Sequence, residues 1–176
     1  VDIVTGDRDL FQLVDDARGV RVLYTAKTGV RDAEIIDQSV LATRYAVPTG
    51  AAYADLAVLR GDASDGLPGV AGIGEKTAAA LLAVFGDLAG IRAAIEGVCA
   101  QAEAAARDGV LLLILSDRRP RRDQLMLHAL LATGAVHQHL CKVEKRSRVG
   151  LVLETGDARE VHHHCLLFGY GADAIN

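Results

Sequence analysis

Four aspartates in two short loops carry the chemistry that can be read from this chain: Asp7 and Asp9 in Gly6-Asp7-Arg8-Asp9, and Asp62 and Asp65 in Gly61-Asp62-Ala63-Ser64-Asp65. Carboxylates two or three residues apart can point into one crevice, and hard divalent cations such as Mg²⁺ take oxygen ligands. Together the pairs form a divided acidic set of the kind that holds two ions over a phosphodiester, where the ions activate water and stabilise the leaving oxygen. Each pair also suits a purely local role. In the first loop this is a turn aspartate followed by Asp9 as a helix N-cap, and in the second an Asx-turn pair.

Directly after the second pair comes Gly69-Val70-Ala71-Gly72-Ile73-Gly74, then Glu75-Lys76-Thr77. Glycines let a backbone approach a phosphate closely and reach positive φ, and a helix N-terminus presents free N–H groups at the positive end of its dipole. This arrangement grips phosphate without bulk positive charge. Val70 and Ile73 are expected to turn inward and pack the flanking helices, with Lys76 one turn into the second helix and within reach of a phosphate oxygen.

The surrounding pattern supplies the elements that must hold these loops. Val1 to Thr5 reads as a strand, and Leu10, Phe11, Leu13 and Val14 as a helical turn after it. Val20 to Tyr24 reads as a second strand, and a helix is expected from about Ala33 to Tyr45. Further helices are expected from Gly50 to Leu59, from Glu75 to about Phe85 and from Leu88 to Ile95. Strand, helix, strand, helix is the grammar of an α/β fold. Beyond residue 97 the pattern weakens to a helical stretch at Ala100 to Arg107, an apolar run at Val110 to Leu115 and a helix at Leu125 to Leu131.

The segment Val1 to Val14 and the later run Gly61 to Ala78 together closely resemble the bacterial 5′→3′ exonucleases of the flap-endonuclease superfamily, which includes the 5′-nuclease domain of DNA polymerase I. The resemblance covers about residues 1–97. It implies the C-terminal part of a Rossmann-like (PIN-like) metal-binding core in residues 1–31, and a helix-three-turn-helix, or helix-hairpin-helix, DNA-binding subdomain in residues 32–97. By motif position Asp7, Asp9, Asp62 and Asp65 are then ligands of Mg²⁺ or Mn²⁺. Gly69, Gly72, Gly74, Lys76 and Thr77 form the DNA grip, and carbonyls near Val70 and Ile73 resemble the family's potassium site.

The activity implied is hydrolysis of DNA phosphodiesters at 5′ ends and flaps in replication and repair. The family's other acidic ligands and its helical arch have no counterpart in these residues. The chain is therefore expected to be an N-terminally shortened member, with a catalytically inactive DNA-binding remnant as the alternative. Gly66 stands where the family usually has asparagine.

Composition narrows the rest. The chain has 176 residues, of which 51% are hydrophobic and 24% charged, enough for a real core and too few charges for a disordered chain. Residues 1–97 hold 9 basic and 14 acidic side chains. Binding of nucleic acid by bulk charge is thereby disfavoured, though not by a backbone grip. No apolar run reaches the roughly 18–20 residues of a membrane span.

Three cysteines, Cys99, Cys141 and Cys165, are too few and too widely spaced for a disulfide framework, and a reducing cytoplasm fits best. Residues 98–176 are a tail to which no fold is assigned, and read-through of a shifted frame would account for them. Within this tail the run Arg118-Arg119-Pro120-Arg121-Arg122 suits a solvated loop. Three adjacent side chains, His162-His163-His164, cannot all face one ion on a regular element.

Overall fold

The computed structural model describes residues 1–63, 65–70, 72–118 and 127–176 and divides into two units, Val1–Ile91 and Arg92–Asn176. Ser64, Ala71, the basic residues Arg119, Arg121 and Arg122 with Pro120, and the first two residues of the helix expected at Leu125 lie outside the described residues.

In the first unit β1 (Asp2–Thr5) pairs in parallel with β2 (Arg21–Tyr24), which pairs antiparallel with β3 (Glu34–Ile36). The crossover from β1 to β2 is made of two 3₁₀ helices, Arg8–Leu13 and Asp16–Arg18. The single helix expected over Ala33 to Tyr45 is instead β3 followed by α1 (Gln38–Tyr45). The break has a local cause: the Asp37 carboxylate accepts the Val40 N–H at 2.9 Å, so the helix starts there, while the β-branched Ile35 and Ile36 extend onto β2. Hydrogen bonds from the Ser39 hydroxyl and the Val40 amide hold the Asp37 carboxyl below its usual pKa. α2 (Gly50–Arg60) is capped by the Thr49 hydroxyl, and α3 (Glu75–Phe85) follows the glycine-rich hairpin.

The core of this unit is aromatic. Phe11, fully buried, packs edge-on against Tyr24 at 5.2 Å between ring centroids and tilts against Tyr53 at 5.4 Å, and Tyr45 and Tyr53 meet at 5.0 Å. Val22, Ile36, Leu41 and Leu56 complete it with no exposed surface. Gly50 opens α2 against this crossover. A Cβ there would stand 2.4 Å from the Gln12 carbonyl oxygen and 2.7 Å from that of Val14.

α4 (Leu88–Arg107) starts in the first unit, where Asp55 of α2 accepts the Leu88 N–H, and continues into the second. It runs through Gly97, where the sequence pattern suggested two shorter helices. A lone glycine costs a helix only about 1 kcal/mol relative to alanine, and neighbouring packing outweighs that.

The tail from residue 98 is folded. β4 (Leu112–Ser116), β5 (Gly150–Glu154) and β6 (Ala174–Ile175) form a wholly parallel sheet, connected through α5 (Ala129–Lys142) and α6 (Val161–Gly169). Cys99, Ala102 and Ala106 of α4, Val136 and Leu140 of α5, and Leu113 and Leu151 of the sheet pack as one cluster. The Arg146 guanidinium fastens the end of this unit, donating to the carbonyls of Val149 at 2.8 Å and Gly171 at 2.7 Å and to Asp173 at 2.9 Å. Of the histidine triplet, His163 accepts the Arg159 N–H and His164 contacts the Glu160 carbonyl, both within their own turn. Among the described residues no single helix is long and apolar enough to cross a membrane.

Gly50→Ala is expected to lower stability by about 1–3 kcal/mol, because its methyl group meets backbone oxygens that cannot swing away. Gly74→Ala adds a methyl group into open space and loses only the preference for glycine over alanine at the α3 N-cap, so it is expected to cost less, about 0.5 kcal/mol. Urea unfolding followed by near-UV circular dichroism checks both, since three of the four tyrosines lie in the first unit, and equal midpoints for the two variants would contradict this reading.

Candidate functional site

The Arg8–Leu13 3₁₀ helix begins on the Asp7 carboxylate, which accepts the Asp9 N–H at 2.9 Å. The cap is thus Asp7 rather than Asp9, and the Asp9 side chain is left to face the second acidic loop. Gln12 and Val14, at the end of this 3₁₀ helix, abut Gly50 at the start of α2, while Asp9 lies with the residues just beyond the end of α2. The 3₁₀ helix and α2 therefore run antiparallel, which is how two loops 50 residues apart in sequence meet.

Carboxylate oxygens of Asp9, Asp62 and Asp65 all lie within 4.8 Å of one another. Among the described residues this is the one cluster of three or more metal-ligating side chains. Partial burial raises the pKa of Asp9 from its ordinary value, and a hydrogen bond to Asp65 and the charges of Asp65, Asp7 and Asp62 add to the effect. Mutually repelling carboxylates of this kind are relieved by a proton or by a cation, and an all-oxygen donor set suits Mg²⁺ or Mn²⁺. Asp7 contributes its charge to the group while its Oδ1 serves as the cap.

The loop carrying Asp62 and Asp65 is closed by a pair of backbone hydrogen bonds, Asp62 N–H to Leu67 and Leu67 N–H to Asp62, each 2.9 Å. Gly66 sits at φ +71° with open space where a side chain would be. Asparagine tolerates that left-handed conformation too, so the departure at this position leaves the turn unchanged. Gly61 (φ +80°) and Gly69 (φ +65°) are more demanding. A Cβ on Gly61 would come within 2.7 Å of the Gly69 nitrogen, and one on Gly69 within 2.5 Å of the Gly61 nitrogen. The base of the loop is thus two backbones in direct contact.

Beyond it Val70 donates its N–H to the Leu59 carbonyl, and Ile73 to that of Val70. Ile73 is buried as expected, whereas Val70 remains 39% exposed, so only one of the two turns inward. Gly72 takes φ +80°, and Gly74, as the cap of α3, is extended at φ −89°. Among the described residues no side chain caps α3, and the N–H groups of its first turn have no side-chain acceptor there. Lys76 is exposed and Thr77 half-buried in that turn.

A residue that the sequence reading passed over stands between the two features. Arg60, the last residue of α2, donates through Nη1 to Glu75 at 3.0 Å and through Nε to the Gly61 carbonyl at 3.2 Å, and its Nη2 lies 3.9 Å from Asp62. A lone arginine in a helical run gives no sequence signal of such a position.

Residues 54–176 match the family model of the glutamate synthase central domain, a stretch that opens inside α2 and takes in the whole second unit. A 5′-3′ exonuclease of Streptomyces coelicolor is 71% identical over 96 residues, 54% of this chain and 31% of that protein. DNA polymerase I of Mycobacterium leprae is 47% identical over 96 residues, 54% of this chain and 10% of the polymerase. Glutamate synthase [NADH] of Schizosaccharomyces pombe is 50% identical over 88 residues, 50% of this chain and 4% of that protein. The chain thus spans less than a third of the length of each of these relatives.

The raised pKa of Asp9 has a definite sign. The unfolded carboxyl ionises near 3.8 and the folded one later, so stability present in acid is lost as pH rises from there through the folded pKa. Without divalent cation, Asp9→Asn is expected to be more stable than the unaltered chain at about pH 7 and equal to it at about pH 3. Urea titrations at the two pH values test this, and a variant less stable at neutral pH would count against the electrostatic account.

Proposed function

For a chain that belongs by residues 54–176 to the glutamate synthase central-domain family, and that is related over half its length to 5′-3′ exonucleases, we propose a metal-dependent nuclease role for the first unit. It would act on DNA phosphodiesters at 5′ ends or flaps. The observation that carries the proposal is the convergence of Asp9, Asp62 and Asp65 beside an uncapped, glycine-led helix. Asp9, Asp62 and Asp65 would hold a divalent cation, with Asp7 fixing the turn that presents Asp9. The cation would supply a Lewis acid that activates water and neutralises charge on the phosphodiester.

The chain's own residues do the rest. First-turn N–H groups of α3, led by Gly74 and flanked by Lys76 and Thr77, would bind backbone phosphates through dipole and hydrogen bonds, so binding is independent of base sequence. Gly69 and Gly72 would shape the approach, and the carbonyls at Val70, which accepts the Ile73 N–H, and Ile73 are the ones that would take K⁺. A cytoplasmic setting belongs to the same proposal, supported by the free thiols of Cys99, Cys141 and Cys165.

Because three carboxylates suffice for one ion and two-metal hydrolysis needs a larger set, cleavage of a 5′-flap duplex by this chain alone is expected to be slow. Binding of cation and duplex is expected to be measurable. Asp62→Asn and Asp65→Asn should each weaken Mn²⁺ binding in calorimetry. Lys76→Ala should reduce the salt dependence of duplex binding by about one unit of slope, and Gly74→Ala should weaken binding more than stability. Unaltered Mn²⁺ binding in both aspartate variants, or unaltered duplex binding in both hairpin variants, would reject the assignment.

A further inference from the structure

One guanidinium serves both halves of the proposed site. Arg60 has a side chain only 17% exposed, and Asp62 is 15% exposed, so their electrostatic interaction is poorly screened compared with a surface pair. Its other arm reaches Glu75, the first residue of α3, at 3.0 Å. A carboxylate in that first turn favours the helix dipole but stands where an incoming phosphate would be repelled. The fork of Arg60 also holds the Gly61 carbonyl, at the base where the acidic loop and the hairpin touch.

We propose that Arg60 is a positioning residue that sets cation affinity against DNA affinity. Its charge beside Asp62 weakens the hold of the acidic cluster on a cation, and its pairing with Glu75 opens the α3 N-terminus to phosphate. This inference rests on the reading of the cluster as a cation site and of the hairpin as a DNA grip. Removing the guanidinium therefore moves the two affinities in opposite directions, which a residue that only supports the fold cannot do, since loss of structure weakens both. Lysine keeps the charge but has a single point donor in place of a planar fork, so it can satisfy one carboxylate and not both.

The test is Mn²⁺ calorimetry on the full chain without DNA, paired with duplex binding by fluorescence anisotropy in chelator, for the unaltered chain, Arg60→Leu and Arg60→Lys. Arg60→Leu is expected to bind Mn²⁺ about fivefold more tightly and duplex about fivefold more weakly, the lower end of typical coupling between sites. Arg60→Lys is expected to recover one of the two values and not the other. Urea unfolding of each variant accompanies the measurements. Weakening of both affinities by Arg60→Leu, no change in either, or full recovery of both by Arg60→Lys would overturn the proposal. If the unaltered chain itself binds neither Mn²⁺ nor duplex, the underlying reading falls with it, and that result is told apart because it appears before any substitution.

Discussion

The seating of the Arg8–Leu13 3₁₀ helix along α2 is the constraint from which the candidate site follows. It has two anchors of different kinds. Phe11 is held by three tyrosine rings in a core that has no tryptophan. Edge-to-face and tilted aromatic contacts contribute roughly 0.5–1.5 kcal/mol each beyond area burial, and they fix ring orientation. Gly50 removes the one side chain that would hold the two backbones apart. With both anchors in place the antiparallel run brings Asp9 to the far end of α2, where Asp62 and Asp65 emerge. Without either, the acidic loops would be two ordinary turns.

The second loop depends on backbone contact rather than on side-chain packing. Gly61 and Gly69 approach so closely that neither tolerates a Cβ, and both occupy the left-handed region. That crossing pinches the chain into a small loop bearing the aspartates and then into the hairpin that leads to α3. The two features are therefore built on one knot of main chain, with Arg60 lying over it. In this acidic unit the cations act by placement, as Arg60 does between Asp62 and Glu75.

The second unit follows a different logic. Its sheet is parallel throughout, so its strands are joined by helical crossovers, and the buried residues Leu113, Leu151 and Leu153 meet α4, α5 and α6 on the packed side. Arg146 links the loop before β5 to the turn before β6, and its hydrogen bonds account for the polar groups that this closure buries. The glutamate synthase family model covers this unit together with the end of the first, whereas the exonuclease relatives match about half of the chain.

Residue types along the chain already carried the α/β character of the first ninety residues, the position of the two aspartate pairs, and the helix, glycine-rich connection and helix from Gly50 to Phe85. These depend on local chemistry: turn residues, caps and glycines act within a few positions of themselves. The sequence also showed an apolar run at Val110 to Leu115 without revealing that this run pairs with β5, because strand partners in a parallel sheet lie a whole crossover away. Which carboxylates meet was decided by tertiary structure, since Asp7 became a cap and Asp9 a cluster member through one hydrogen bond and one helix packing. Whether Val70 or Ile73 is buried, where α1 begins and what Arg60 holds were decided there as well. Each depends on a partner distant in sequence, and no pattern of residue types along the chain encodes the identity of that partner.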